Sequence, residues 1–308
     1  MSRPSGATFF MLAFDQRGSF TTGLFGIKGA PTLDETARIV DSKRVIFEGL
    51  QLAVRDGVPM ANAGLLVDEQ FGAEVARTAK AIGYTLAMPV EKSGLQEFDF
   101  EYGATFSEHI ETFDPGFAKV LVRYNPEGDA AMNRKQLARL AKLSSWLHGH
   151  DRKLLFELLV PAEPSQLEKV GGDCDRYDLE IRPELTLRAI AQAQAARVEP
   201  EIWKVEGMDR RQDYERVAEQ ARSAGREGVA CIILGRGASD AKLEHWLRQG
   251  AGVPGFIGFA IGRTIWQQAL EDWLARKLDR AGASRRIADN YLRMVDVYQA
   301  ARGRVSSF

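Results

Sequence analysis

The sequence predicts an α/β fold: a single (β/α)8 TIM barrel over residues 1–308, with an extra helix toward its C-terminal end. Three observations carry this. Eight short apolar runs recur along the chain, each followed by a helical pattern or a helix-bearing connection, and no linker separates them. The runs are almost continuously apolar, as parallel strands covered on both faces should be. A chain of 308 residues suits one such barrel, and no short-period repeat or low-complexity segment interrupts it. A doubly wound open sheet is the competing arrangement.

The elements follow in order. Thr8-Phe-Phe-Met-Leu-Ala-Phe14 reads as the first strand, ending on Asp15-Gln-Arg-Gly18 and a glycine-bearing loop. Thr32-Leu-Asp-Glu35 has capping-box spacing and opens a helix from Leu33 to about Arg55, stopped by Asp56-Gly57. The second strand is Ala63–Val67, and its helix runs from about Phe71 to Ile82. Tyr84–Val90 is the third strand, followed by a small helix near Thr105–Ile110, and Ala118–Val122 is the fourth. A helix over Asn133–His148 leads to the fifth strand, Lys153–Leu159. A long loop carrying Asp173, Cys174 and Asp175 then precedes a helix from Arg182 to about Arg197. The sixth strand lies within Glu201–Gly207, with a helix over Gln212–Ala224. Val229–Leu234 is the seventh strand, with a helix over Asp240–Arg248. Gly255–Ala260 is the eighth, with a long helix to about Arg280. A last helix spans Ser284–Ala301, with Ile287, Tyr291, Met294 and Tyr298 on one stripe. It reads as a cap on the barrel, with assembly into a homo-oligomer as the alternative.

Composition narrows the function classes. The chain is 45% hydrophobic and 27% charged, with a net charge of -1. That balance argues against nucleic acid or an anionic membrane as the main partner. No run of 18 apolar residues occurs, and Met1-Ser-Arg-Pro-Ser-Gly6 carries no secretory signal. Two distant cysteines, Cys174 and Cys231, make a reducing cytoplasm the expected compartment. The pair His148-Gly-His150 falls at a helix end without an acidic or Cys partner at ligand spacing, so no metal site is expected.

Charged residues inside strands point to the chemistry. Strand side chains alternate, so Ile202, Lys204 and Glu206 share one face and Trp203 and Val205 the other; Leu155, Glu157 and Leu159 share a face likewise. A lysine in an apolar strand is costly as an ammonium, and a neutral amine is the nucleophile of imine chemistry on a carbonyl. A neighbouring carboxyl group can move the protons. The plain alternative is an ion pair at a strand end. Lys119, Glu157 and Lys204 lie on three consecutive strands, roughly 5 Å apart in a barrel, so their side chains can converge. In such a group a second ammonium lowers the pKa of the first. Polar residues also gather at the strand ends, where such barrels place their active sites: Asp15, Gln16, Arg17, Asp68, Glu69, Glu91, Lys92 and Arg123. The last two strands end on Gly235-Arg236-Gly237 and Gly262-Arg263, where backbone N–H groups, an arginine fork and a helix N-terminus can bind phosphate.

These motifs also resemble a known family. Leu12-Ala-Phe-Asp-Gln-Arg-Gly18, Val90-Glu-Lys-Ser-Gly94, Lys119-Val-Leu-Val122, Leu155-Phe-Glu157, Trp203-Lys-Val-Glu206 and Ile261-Gly-Arg-Thr-Ile-Trp266 look like the motifs of class I aldolases related to tagatose-bisphosphate aldolase. Within that group the chain is most similar to the aldolase domain fused to 5-dehydro-2-deoxygluconokinase in inositol catabolism. The resemblance implies a cofactor-free, cytoplasmic lyase with Lys204 as the imine-forming residue and Glu157 as acid/base. It implies that Asp15, Gln16 and Lys119 line the substrate site, and that Gly235, Arg236, Gly262 and Arg263 hold phosphate. Glu91 and Arg123, at the neighbouring strand ends, join the substrate-facing set. The expected reaction cleaves 2-deoxy-5-keto-gluconate 6-phosphate to dihydroxyacetone phosphate and an aldehyde, malonate semialdehyde. Tagatose 1,6-bisphosphate or a sulfonated ketose phosphate is the alternative substrate. A barrel that only binds sugar phosphates is the alternative of another class.

Overall fold

The computed structural model describes residues 8–305, with side chains described to residue 303. The N-terminal stretch Met1–Gly6 lies outside the described residues. Eight parallel strands close in sequence order into a barrel: β1 (Phe9–Ala13), β2 (Ala63–Leu66), β3 (Thr85–Pro89), β4 (Phe117–Arg123), β5 (Leu154–Leu159), β6 (Ile202–Glu206), β7 (Ala230–Leu234) and β8 (Phe256–Ile261). β8 pairs with β1 through Phe9↔Gly258 to Leu12↔Ile261, so there is no free sheet edge and the open-sheet arrangement is excluded.

Alternation sorts the side chains into two cores. Phe9, Met11, Ala13, Leu66, Ala87, Phe117, Leu155, Ile202, Ile232 and Ala260 fill the barrel interior. Their sequence neighbours Phe10, Leu12, Val120, Phe156, Trp203, Val205, Ile233 and Phe259 pack outward against the helices. Those helices are α1 (Gly18–Phe25), α2 (Leu33–Arg55), α3 (Glu69–Ala81), α4 (Phe106–Phe113), α5 (Ala130–Gly149), α6 (Pro164–Lys169), α7 (Cys174–Glu180), α8 (Arg182–Ala195), α9 (Arg211–Arg222), α10 (Asp240–Gly250), α11 (Arg263–Leu274) and α12 (Arg280–Val305). The capping box at Thr32 and Glu35 forms as the sequence indicates. Among the described residues no helix is long and apolar enough to cross a membrane.

Three connections differ from expectation. The glycine-bearing segment after β1 forms α1, although Gly18, Thr21, Thr22 and Gly23 are poor helix formers. Burial overrides propensity there, because Phe20 packs on Trp266 at 5.3 Å between ring centroids. The expected loop after β5 contains α6 and α7. Pro164 opens the first of these, and Asp173 caps the second by accepting from the N–H groups of Asp175 and Arg176. The helix after β8 stops at Leu274, where Ala275 caps it and Arg276 takes a left-handed conformation (φ 59°), so α12 begins at Arg280 and not at Ser284. α12 packs on α2, α10 and α11. Its stripe Ile287, Tyr291, Met294 and Tyr298 is fully buried, and Tyr291 and Tyr298 donate to the carbonyls of Phe10 and Phe256 at 2.7 and 2.9 Å. The helix therefore covers the seam where β8 meets β1.

Candidate active site

The inward positions of β4, β5 and β6 build the centre. Register sets Glu157 opposite Leu121 on one side and Lys204 on the other, while Lys119 sits one inward position earlier, opposite Leu155. The four-carbon stem of Lys119 lifts its ammonium to the carboxylates above it. Glu157 bridges the two lysines, at 2.9 Å from Lys204 Nζ and 3.0 Å from Lys119 Nζ. The expected convergence is therefore present, in a setting almost closed to water: Lys119, Lys204 and Glu157 are 1%, 4% and 6% exposed.

The electrostatics differ from the expected group of two lysines and one carboxylate. Lys119 Nζ also donates to Asp15 Oδ2 at 2.8 Å and to Glu91 Oε1 at 2.7 Å, so three carboxylates surround one ammonium. Burial alone would lower the pKa of Lys119, but Asp15, Glu157 and Glu91 together raise it above that of a free lysine. Burial likewise works against ionised Asp15 and Glu157, yet Lys119 and Lys204 hold both below the usual carboxylate range. Glu91 goes the other way. Burial, with Asp15 nearby, outweighs Lys119 and Arg17 and pushes its pKa up. Its Oε2 and Gln16 Oε1 are buried acceptors without a hydrogen-bond donor among the described residues.

Two lobes open from this centre, sharing Gln16 and Glu157. One, about 400 Å³, is lined by Lys204, Gly235, Arg236, Gly237, Gly262, Arg263 and Thr264. The other, about 750 Å³, is lined by Asp15, Arg17, Glu91, Lys92, Ser93, Lys119 and Arg123 among others. In the smaller lobe the glycines serve close approach. A Cβ on Gly262 would lie 2.4 Å from the carbonyl oxygen of Ala13, and one on Gly237, at φ 72°, would lie 3.0 Å from the Arg263 guanidinium.

The two arginines of the smaller lobe are not equivalent. Arg236 is held in a left-handed conformation (φ 48°) with its guanidinium on Asp178 at 2.7 and 3.0 Å and on Glu206 at 2.9 Å. Arg182, 1% exposed, donates to the same Asp178 at 2.8 Å and to the Gly207 carbonyl at 2.8 Å. Arg236 is thus committed to protein carboxylates, whereas Arg263 lies against Gly237 at the first turn of α11.

The other strand-end residues divide. Arg17 donates to Glu101 and to the Glu91 carbonyl at 2.8 and 2.7 Å, which pins the connection after β3. Arg123 lines the larger lobe and donates to the Leu95 carbonyl at 2.9 Å. Asp68 and Glu69 do not reach the centre: Asp68 pairs with Lys43 and Glu69 with His109 at 2.8 Å. His148 contacts Glu201 at 3.1 Å, an acidic partner that sequence spacing does not show, and His150 stacks on Trp146. Among the described residues no group of three or more His, Cys, Asp or Glu side chains is arranged to hold a metal ion. Sequence reasoning missed Lys43, Asp178, Arg182 and Glu101. Of these Lys43 left a signal, since it falls on the apolar stripe Ile39, Ile46, Leu50 of α2.

The fold and site thus define a closed (β/α)8 barrel with a buried lysine–carboxylate cluster at the ends of its strands. The chain belongs to the family described as "Uncharacterized protein conserved in bacteria (DUF2090)", whose model matches residues 1–302. No curated protein matches it. Among solved structures, fructose-bisphosphate aldolase from Plasmodium falciparum, crystallised with TRAP and a small-molecule inhibitor, is similar at TM-score 0.67 and 12% identity, covering 97% of this chain and 92% of that one. Cgl0159 from Corynebacterium glutamicum is similar at TM-score 0.60 and 15% identity, covering 96% and 87%. At such identities the likeness is one of fold.

Proposed function

We propose that this protein is a class I aldolase that cleaves a phosphorylated keto sugar to dihydroxyacetone phosphate and an aldehyde through an imine on Lys204. The observation that carries the reading is the placement of Glu157 within 3.0 Å of both lysines. An ammonium cannot attack a ketone, and Glu157 is the nearest base to take a proton from Lys204. The neutral amine adds to the carbonyl carbon, and the carbinolamine loses water with proton help from Glu157 to give an iminium. Removal of the proton from the β-hydroxyl then breaks the adjacent C–C bond. The electron pair flows into the iminium as an enamine and the aldehyde leaves. Protonation of the enamine carbon and addition of water release the ketone and restore Lys204. Lys119, kept charged by its three carboxylates, orients Glu157 and stabilises developing negative charge.

The two lobes suit a substrate anionic at both ends. A phosphate beside the ketone would meet Arg263 and the free N–H groups opening α11. A carboxylate at the far end would meet Arg123 and Lys92, while Glu91 Oε2 and Gln16 Oε1 would accept from hydroxyl groups. Our candidate substrate is 2-deoxy-5-keto-gluconate 6-phosphate, with tagatose 1,6-bisphosphate or a sulfonated ketose phosphate as the alternatives that a product analysis would separate. The deciding experiment is borohydride reduction in the presence of dihydroxyacetone phosphate, expected to add mass to the peptide holding Lys204. A label on Lys119, or none on any lysine with a panel of ketose phosphates, would overturn the reading.

Arg263→Ala is expected to raise KM for a phosphorylated substrate by about 2 kcal/mol equivalent, the scale of a lost charge-assisted contact. Cleavage of a non-phosphorylated analogue should scarcely change. Arg236→Ala should act more weakly on KM and should lower the melting temperature, because it strips partners from buried Asp178 and Glu206. Equal losses of affinity in the two variants would mean that both arginines hold one phosphate. An unchanged KM in Arg263→Ala would remove the site.

A further inference from the structure

Lys43 sits in the middle of α2 with no exposure to solvent, outside the reaction derived above. Its ammonium donates to the carbonyl of Phe14 at 2.7 Å and to that of Gln16 at 3.1 Å, and it pairs with the Asp68 carboxylate. Those two carbonyls belong to the residues on either side of Asp15. Asp68 is fixed in turn, since its other oxygen accepts from the Phe71 N–H at 2.8 Å in the first turn of α3. The aliphatic stem passes Gly72, where a Cβ would lie 3.7 Å from Lys43 Cδ and 2.2 Å from Val67, and the Phe20 ring lies 5.1 Å from the ammonium.

A core position on an apolar helix stripe is filled at less cost by leucine or methionine than by a charge, even a paired one. What the ammonium supplies and an apolar residue cannot is a point donor that gathers three acceptors from two different strand ends. We infer that Lys43 is a positioning residue for the β1 end of the site: it clamps the peptide groups flanking Asp15 and so fixes the carboxylate that meets Lys119 at 2.8 Å. The consequence for turnover rests on the aldolase reading; the clamp itself does not.

The test is therefore run without substrate, as the rate at which a small amine-reactive reagent modifies Lys119 in the folded protein, read by mass spectrometry. Lys43→Met combined with Asp68→Asn removes both charges of the pair and keeps the length of the side chain. It is expected to raise the Lys119 rate about tenfold, as loss of a charge-assisted contact would, and Asp15→Ala is expected to do the same. Adding the Lys43 and Asp68 changes to Asp15→Ala should then produce no further rise, because both act through one contact. An unchanged Lys119 rate in the folded variant overturns the inference, and so do two effects that multiply. If the Met variant does not fold, Lys43→Arg carries the same expectation, since its wider head cannot place one nitrogen among the three acceptors, and the same unchanged rate overturns it. Failure of borohydride trapping at Lys204 would remove the aldolase reading and leave this measurement intact. Failure here would leave trapping untouched.

Discussion

Lys204→Met is expected to abolish trapping by borohydride and to lower turnover on the order of 10⁵-fold, the scale on which loss of a covalent nucleophile falls. The fold should survive. Glu157 keeps its contact with Lys119 at 3.0 Å when the Lys204 ammonium is gone, so no carboxylate is left without a cation. Methionine also matches the stem of lysine in length and fits the interior above Ile202. Lys119→Met makes the contrast. It would leave Asp15, Glu91 and Glu157 crowded together with their shared ammonium removed, and breaking a buried charge cluster in this way costs about 3–5 kcal/mol. Thermal melts and turnover thus separate the two lysines: one variant is stable and inert, the other unstable. A Lys204→Met protein that retains turnover would place the imine on another lysine.

Glu157→Gln is expected to keep the fold but to slow imine trapping and to lose about 10²–10⁴-fold in turnover, the usual contribution of a proton-transfer group. The amide is isosteric, but its one oxygen can accept from only one of the two ammonium groups, and it cannot accept the proton of Lys204 or return it. Single-turnover experiments should show imine formation slowed together with C–C cleavage. Cleavage at the wild-type rate would reduce Glu157 to a structural partner of Lys119 and Lys204.

Much of this centre was legible because strand alternation is rigid. Once Lys119, Glu157 and Lys204 are read inside apolar runs, the period of two leaves them a single direction, into the barrel. The capping box of α2 and the eightfold recurrence are legible for the same reason, that they are local patterns. What failed was whatever depends on partners distant in sequence. The commitment of Arg236 is decided by Asp178, 58 residues earlier, on a helix that reads as loop until Asp173 is recognised as its cap. The α1 helix depends on Trp266 far along the chain, and no propensity anticipates that. The charge balance failed likewise: Asp15 and Glu91 read as substrate-facing strand ends, yet both turn onto Lys119 and reverse the effect that a second lysine alone would have on it.

The seam between β8 and β1 has a consequence for the order in which the molecule is made. Trp266 Nε1 donates to the Ala13 carbonyl at 2.9 Å, Gly262 rests on that same carbonyl, and Tyr291 reaches Phe10 at 2.7 Å, contacts that span 253 and 281 residues of chain. During synthesis, then, β1 can pair with β2 early, but its other edge stays open until β8 has emerged. Loops of that length close slowly, so the rate of folding should be governed by this final pairing. Asp15, the first of the buried cluster to be translated, stands at the end of the strand whose second edge closes last.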